Sequence, residues 1–141
     1  MSMKRDRVNN EKIIPFVTPA TYTTNTGILT ANWDTMHGRS NPTNMLLTLI
    51  MGTWGAGGIV TVRVQHCATS NGTYTTHKTL ANATQASGIA CWIAQVSDFQ
   101  RFVRLSFDVT VASCVLSIIG NLARGRREPV TQENVATLAV T

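Results

Sequence analysis

Three histidines, three cysteines and seven carboxylates are the side chains of this chain most suited to chemistry. His66 adjoins Cys67, and His77 lies across a short hairpin from them, so these three groups could converge. A zinc site needs four converging ligands, or three and a water, and usually draws them from closely spaced pairs. The pattern here is too thin for that, and ordinary strand histidines beside a buried thiol are the better reading; His37 stands apart from both. Cys91 and Cys114 lie inside apolar runs and read as small core residues. The carboxylates are Asp6, Glu11, Asp34, Asp98, Asp108, Glu128 and Glu133. Glycosidase chemistry would need two of them poised across a cleft. Asp98 stands in a turn-like context and Asp108 on the outward parity of a strand, so both are expected to be solvated or ion-paired. There is no GxSxG elbow, Walker loop or GxGxxG fingerprint, and Gly55, Gly57 and Gly58 read as a pliable loop. The expectation is a protein without enzymatic activity, cofactor or metal.

Aromatic and basic residues offer binding rather than catalysis. Trp92 is embedded in an apolar run and reads as core, whereas Trp54, in a glycine-rich loop, is the tryptophan expected to stand exposed. An exposed indole serves either a sugar platform or a protein interface. Arg101 and Arg104 flank Phe102-Val103 in QRFVRL. Arg104 takes the outward parity and is expected to pair with Asp108 or with a cross-strand neighbour.

These residues must be carried by strands. Val60, Val62 and Val64 alternate with Thr61, Arg63 and Gln65; Val103, Leu105, Phe107, Val109 and Val111 alternate with Arg104, Ser106, Asp108 and Thr110. A period of two with β-branched residues is a half-buried strand. Shorter runs at Ile13–Thr18, Ile28–Trp33, Tyr74–Leu80, Ile89–Val96 and Cys114–Leu122 complete the set, with Pro15 placing the first at a sheet edge. Met45–Gly52 is apolar on both parities and reads as a strand buried on both faces. Asn71-Gly72 is the strongest hairpin signal. With about eight strands and no amphipathic helix, the natural solution is an all-β fold, an antiparallel β-sandwich. Jelly-roll-like topology is the first expectation and an immunoglobulin-like order the second.

Residues 13–122 would form the sandwich, 1–12 a basic amino-terminal arm and 123–141 a carboxy-terminal arm. Charge is concentrated on those arms: Lys4, Arg5, Arg7 and Lys12 at one end and Arg124, Arg126 and Arg127 at the other, against five basic residues between. The arms therefore read as partner-contacting, with Lys4, Arg5, Arg7, Arg124, Arg126, Arg127 and the Trp54 loop as the contact residues. A nucleic-acid binder would show a denser basic stripe with interleaved aromatics, so no nucleic-acid partner is expected. Charged residues are only 13% of the chain, which suits a surface partly covered by other chains, since interface cores are depleted of charge. Three widely spaced cysteines fit free thiols made in a reducing cytoplasm. The opening MSMKRDR is not followed by an apolar run, and no stretch is long enough to span a bilayer, so neither secretion nor a membrane partner is expected.

Four features occur in a telling order: Trp33-Asp34-Thr35; the hairpin VRVQHCATSNGTYTTHKTL; the strand RFVRLSFDVTV; and the closing IIGNLARGRREPV. Over residues 28–130 this order resembles small bacteriophage capsid decoration or cement proteins, the head-stabilising proteins encoded near the major capsid protein. The resemblance implies a β-sandwich, often trimeric, made in the host cytoplasm, that binds the major capsid protein on the capsid exterior and stabilises the shell. The low acidity and basic arms depart from the usual pattern. A carbohydrate-binding sandwich of a phage tail or baseplate and a self-assembling coat protein are the alternatives.

Overall fold

The computed structural model describes residues 11–35, 44–84, 91–123 and 135–140. Eleven strands run through them: β1 (Glu11–Tyr22), β2 (Asn25–Leu29), β3 (Trp33–Asp34), β4 (Asn44–Trp54), β5 (Ile59–Cys67), β6 (Thr75–Thr79), β7 (Ala83–Thr84), β8 (Cys91–Ser97), β9 (Phe102–Thr110), β10 (Cys114–Ala123) and β11 (Val135–Val140). No helix occurs among the described residues. The strands form two sheets. Sheet A has the order β1-β10-β4-β8-β11; sheet B has the order β2-β9-β5-β6, with β3 also pairing β9 and β7 pairing β5. Every pairing is antiparallel except that of β11 with β8. The all-β, two-sheet expectation holds. β3 and β7 are two residues each, too short to leave a periodic trace, and they account for two of the strands beyond the sequence reading.

One core lies between the sheets. Sheet A contributes Ile14, Met45, Leu47, Leu49, Leu116, Ile118 and Leu122; sheet B contributes Val60, Val62, Val64, Val103, Leu105, Phe107 and Val109. Burying such a side chain is worth roughly 1.5–3 kcal/mol each. The alternation read in β5 and β9 thus supplies most of sheet B's half of the core. β1 is an edge strand, as Pro15 requires, and its register with β10 breaks between Pro15 and Val17 and again between Val17 and Ala20. Bulges and prolines there disable that edge for further pairing. Gly120 lets the two strands close up: a Cβ at this position would lie 2.5 Å from Cε2 of the buried Phe16.

The turns correct three expectations. Val111 does not continue the inward face of β9; it is 69% exposed with φ 71°, and the Ala112 N–H donates to the Thr110 carbonyl at 2.9 Å. The strand has ended in a γ-turn, and a β-branched residue held at positive φ costs of order 1–3 kcal/mol. The stretch Gly55–Gly58 is not merely pliable. Gly58 N–H donates to the Gly55 carbonyl at 3.1 Å, and Gly57 has φ 74°, the requirement of the third position of a type II turn. The β5–β6 hairpin is present, but Asn71-Gly72 is not a two-residue loop. Residues 68–74 connect the strands, and Gly72 N–H closes a turn onto the Thr69 carbonyl. β1 begins at Glu11 and β10 runs to Ala123, so the arm boundaries drawn at 12 and 123 fall within strands.

Candidate interaction faces

Each sheet has one face in the core and one turned outward, and the two outward faces differ sharply in chemistry. On sheet B, β5 and β9 present Thr61, Arg63, Gln65, Arg104 and Asp108. Antiparallel register sets these side chains within reach of one another. Arg63 Nη2 donates to Asp108 Oδ2 at 2.6 Å, and the Gly27 N–H donates to Asp108 Oδ1 at 2.7 Å. Arg104 Nε donates to Gln65 Oε1 directly across the ladder at 2.7 Å, with its guanidinium 4.3 Å from the Tyr74 ring centroid. Arg104 therefore takes the cross-strand partner, and Asp108 goes to Arg63. Below them, Arg101 grips Asp34 with two hydrogen bonds of 3.1 and 2.8 Å. The charges on this face are largely spent on one another.

Protonation follows from those contacts. The hydrogen bond from Arg63, then that from Gly27, holds the Asp108 carboxyl below its usual range. A carboxylate whose pKa is lower folded than unfolded adds stability above the unfolded value of about 3.9, lost as pH falls through the folded one. Asp108→Asn is expected to lower the melting temperature at neutral pH, and the gap from the native protein should narrow below pH ~4. A gap unchanged between pH 7 and 3, followed by thermal circular dichroism, would contradict this role for the pair.

His66 and His77 stack with ring centroids 4.6 Å apart. His66 Nδ1 accepts the Gln100 N–H at 3.1 Å, and His77 Nε2 lies 2.7 Å from the Ser97 carbonyl. Burial, then the neighbouring His77, lowers the His66 pKa. Cys67 is buried, and no group of three His, Cys, Asp or Glu capable of holding a metal occurs among the described residues. The stack ties the hairpin to the β8–β9 connection. Cys114 is fully buried in the core, where burial pushes its thiol pKa up.

Sheet A's outward face carries no such network. The register assembles it in rungs: Ile13–Asn121–Leu46–Gln95, Pro15–Ile119–Thr48–Ile93, and Ser117–Ile50. None of these residues is charged; the end rung, Glu11–Ala123–Asn44–Ser97, places one carboxylate at the corner of the face. Ile13 is 65% exposed and Ile50 42% exposed, Leu46, Val115 and Ile119 are half-buried, and Ile93 and Ser117 are buried. The signal for this face lay in the sequence, where Met45–Gly52 and Ile118–Leu122 are apolar on both parities. We read that pattern in β4 as burial on both sides. One side is the core, and the other is the protein's surface.

The contact residues expected from the sequence fall differently. Lys4, Arg5, Arg7, Arg124, Arg126 and Arg127 lie outside the described residues, as does His37. Trp54 does not stand out from the glycine loop. It is the last residue of β4, only 6% exposed, and its Nε1 donates to the Val115 carbonyl at 3.1 Å. Its indole closes the end of the core, because β4 runs two residues beyond Gly52 and turns it inward. Two of the sequence motifs meet: Trp33 pairs with Val103, Asp34 with Phe102, and Thr35 bonds the Arg101 carbonyl through both N–H and hydroxyl.

Compared with family models, curated proteins and solved structures, the chain finds no match. Among the described residues, no helix is long and apolar enough to cross a membrane.

Proposed function

We propose that this chain is a structural protein of a bacteriophage particle, which binds the outside of the capsid through the outward face of sheet A and stabilises the shell. The observation that carries the reading is the contrast between the two outward faces. Apart from Glu11 at its corner, the outward face of sheet A is uncharged and exposes Ile13 and Ile50, as an interface core requires, whereas ion-paired side chains suit water. The resemblance of residues 28–130 to capsid decoration proteins supplies the kind of partner, a major capsid protein. A ligand that binds the assembled lattice better than free subunits stabilises it by mass action, and several modest contacts per particle multiply. The basic residues Lys4, Arg5, Arg7, Arg124, Arg126 and Arg127 would add charge-assisted contacts to acidic shell residues.

We read the strand order as a jelly roll. With β3, β7 and β11 set aside, β1-β10-β4-β8 faces β2-β9-β5-β6, and every connection but β5–β6 passes from one sheet to the other. That order also recurs in viral coat domains, and it favours a second reading, a coat protein that forms the shell itself.

Co-sedimentation with preformed heads tests the first reading. Ile50→Asp places an unpaired carboxylate in the proposed interface and is expected to weaken attachment by at least ~10-fold, while the circular dichroism spectrum is retained. Undiminished attachment of both Ile50→Asp and Ile119→Asp would remove sheet A from the interface. Spontaneous assembly of the purified chain into closed particles would move the conclusion to the coat-protein reading.

A further inference from the structure

We propose that the His66–His77 stack is an acid-operated latch: a proton taken up by His66 releases the β8–β9 connection, residues 98–101, from the β5–β6 hairpin. A departure from regular pairing builds it. The register of β5 with β6 passes from Val64–Lys78 to Gln65–Thr76, so His77 has no partner on the ladder. A bulge re-aims a side chain, and this one brings the His77 ring onto that of His66, 25° from parallel. Both rings then hold the same stretch of backbone. His66 Nδ1 accepts the Gln100 N–H, and His77 Nε2 meets the Ser97 carbonyl. Between those two anchors Asp98 has φ 61°, a left-handed conformation uncommon for any residue but glycine.

The partners dictate where the protons sit. A carbonyl only accepts, so His77 donates from Nε2; a backbone N–H only donates, so His66 Nδ1 carries no proton and its ring is neutral. A protonated His66 would turn an N–H against the Gln100 N–H and set a cation against the His77 ring. His77 keeps its bond in either protonation state. The charged or titratable groups on the surrounding elements are Cys67 of β5, Lys78 of β6, Asp98 and Arg101 of the connection, Asp34 of β3 and Arg104 of β9. Arg101 is taken by Asp34, and Arg104 by Gln65 and Tyr74. Among the described residues, neither ring bonds a carboxylate that would hold a proton on it. Burial, then His77, keeps the His66 pKa low, so the open connection takes up a proton more readily than the closed one. The latch is therefore fully closed above the ordinary histidine value of about 6.5 and weakens as pH falls from there toward the lower folded value. Release would travel further. Arg101 grips Asp34, its carbonyl holds Thr35, and Phe99 packs on the core, so an unlatched connection loosens β3 and uncovers apolar surface.

Amide hydrogen exchange of the full chain, followed by NMR and corrected for the intrinsic pH dependence of exchange, tests the latch. No capsid is present, so the outcome is independent of the decoration reading. The Gln100 amide is expected to lose ~10-fold in protection between pH 7 and pH 5. The Gly55 amide, bonded to the Ser113 carbonyl in the β4–β5 turn at the opposite end of β5, should keep its protection. His66→Asn keeps an acceptor near the Nδ1 position and does not titrate, so its Gln100 protection should stay level over this range. His77→Gln keeps a donor near the Nε2 position and should leave the loss in place. Equal protection of Gln100 at pH 7 and pH 5 in the native chain would overturn the proposal. So would a loss that survives in His66→Asn or disappears in His77→Gln.

Discussion

Phe107→Ala is expected to lower the unfolding free energy by about 3–5 kcal/mol, measured by denaturant unfolding. Phe107 is 1% exposed, at the middle of β9, and its register partners are Val62 on one side and Ile28 on the other. Tyr22 meets its ring edge-on at 5.3 Å between centroids. It also forms a wall of a notch of about 130 Å³ between β1 and β2, lined by Phe16, Tyr22, Ile28 and Leu29 among others. Removing the ring would merge its space with that notch. The strands on both sides are held by ladder hydrogen bonds, so the site cannot collapse to recover the lost contacts. For a chain of this length total stability is of order 7–20 kcal/mol, so one truncation removes a substantial part of it. A loss below ~1 kcal/mol would mean that Phe107 does not sit at the centre of the core.

Trp54→Ala is expected to cost about 3 kcal/mol or more of stability, again by denaturant unfolding, and to leave the folded fraction's affinity for any partner unchanged. Trp54 is as buried as Phe16, and its loss would also strip the Val115 carbonyl of the indole N–H. An exposed contact residue would behave in the opposite way, with stability kept and binding lost. Retained stability together with lost attachment would return Trp54 to the interface.

The burial of Trp54 departs from the sequence expectation for a local reason, while the side chain of Trp92, expected in the core, lies outside the described residues. A glycine-rich neighbourhood points to an exposed loop, but Gly52 lies within β4, the tight turn begins only at Gly55, and Trp54 precedes it on the strand. Side-chain direction at a strand end depends on where the strand stops, and that depends on its partner. The register of β10 with β4 slips between Cys114 and Leu116, a feature set by both strands together. Val111 is the same lesson in reverse. Its parity continued that of Val109, yet β9 ends at Thr110 because the chain must turn back toward β10.

The candidate face of sheet A was half legible. Apolar residues on both parities of β4 pointed to two covered sides, and nothing local says which side another part of the same chain will cover. The rungs Ile13–Asn121–Leu46 and Pro15–Ile119–Thr48 bring together residues more than 100 positions apart at their extremes. The pairing of Asp108 with Arg63 rather than Arg104 is likewise a product of β5 lying beside β9.

By itself, the sequence determined the strand character, the buried parity of β5 and β9 and the edge position of β1, because period-two alternation and proline act through the local backbone. Tertiary structure alone decided which strands became neighbours, which outward face kept its charges paired and which was left bare. Those outcomes depend on register between distant segments, and a shift of one residue would exchange the two faces of a strand.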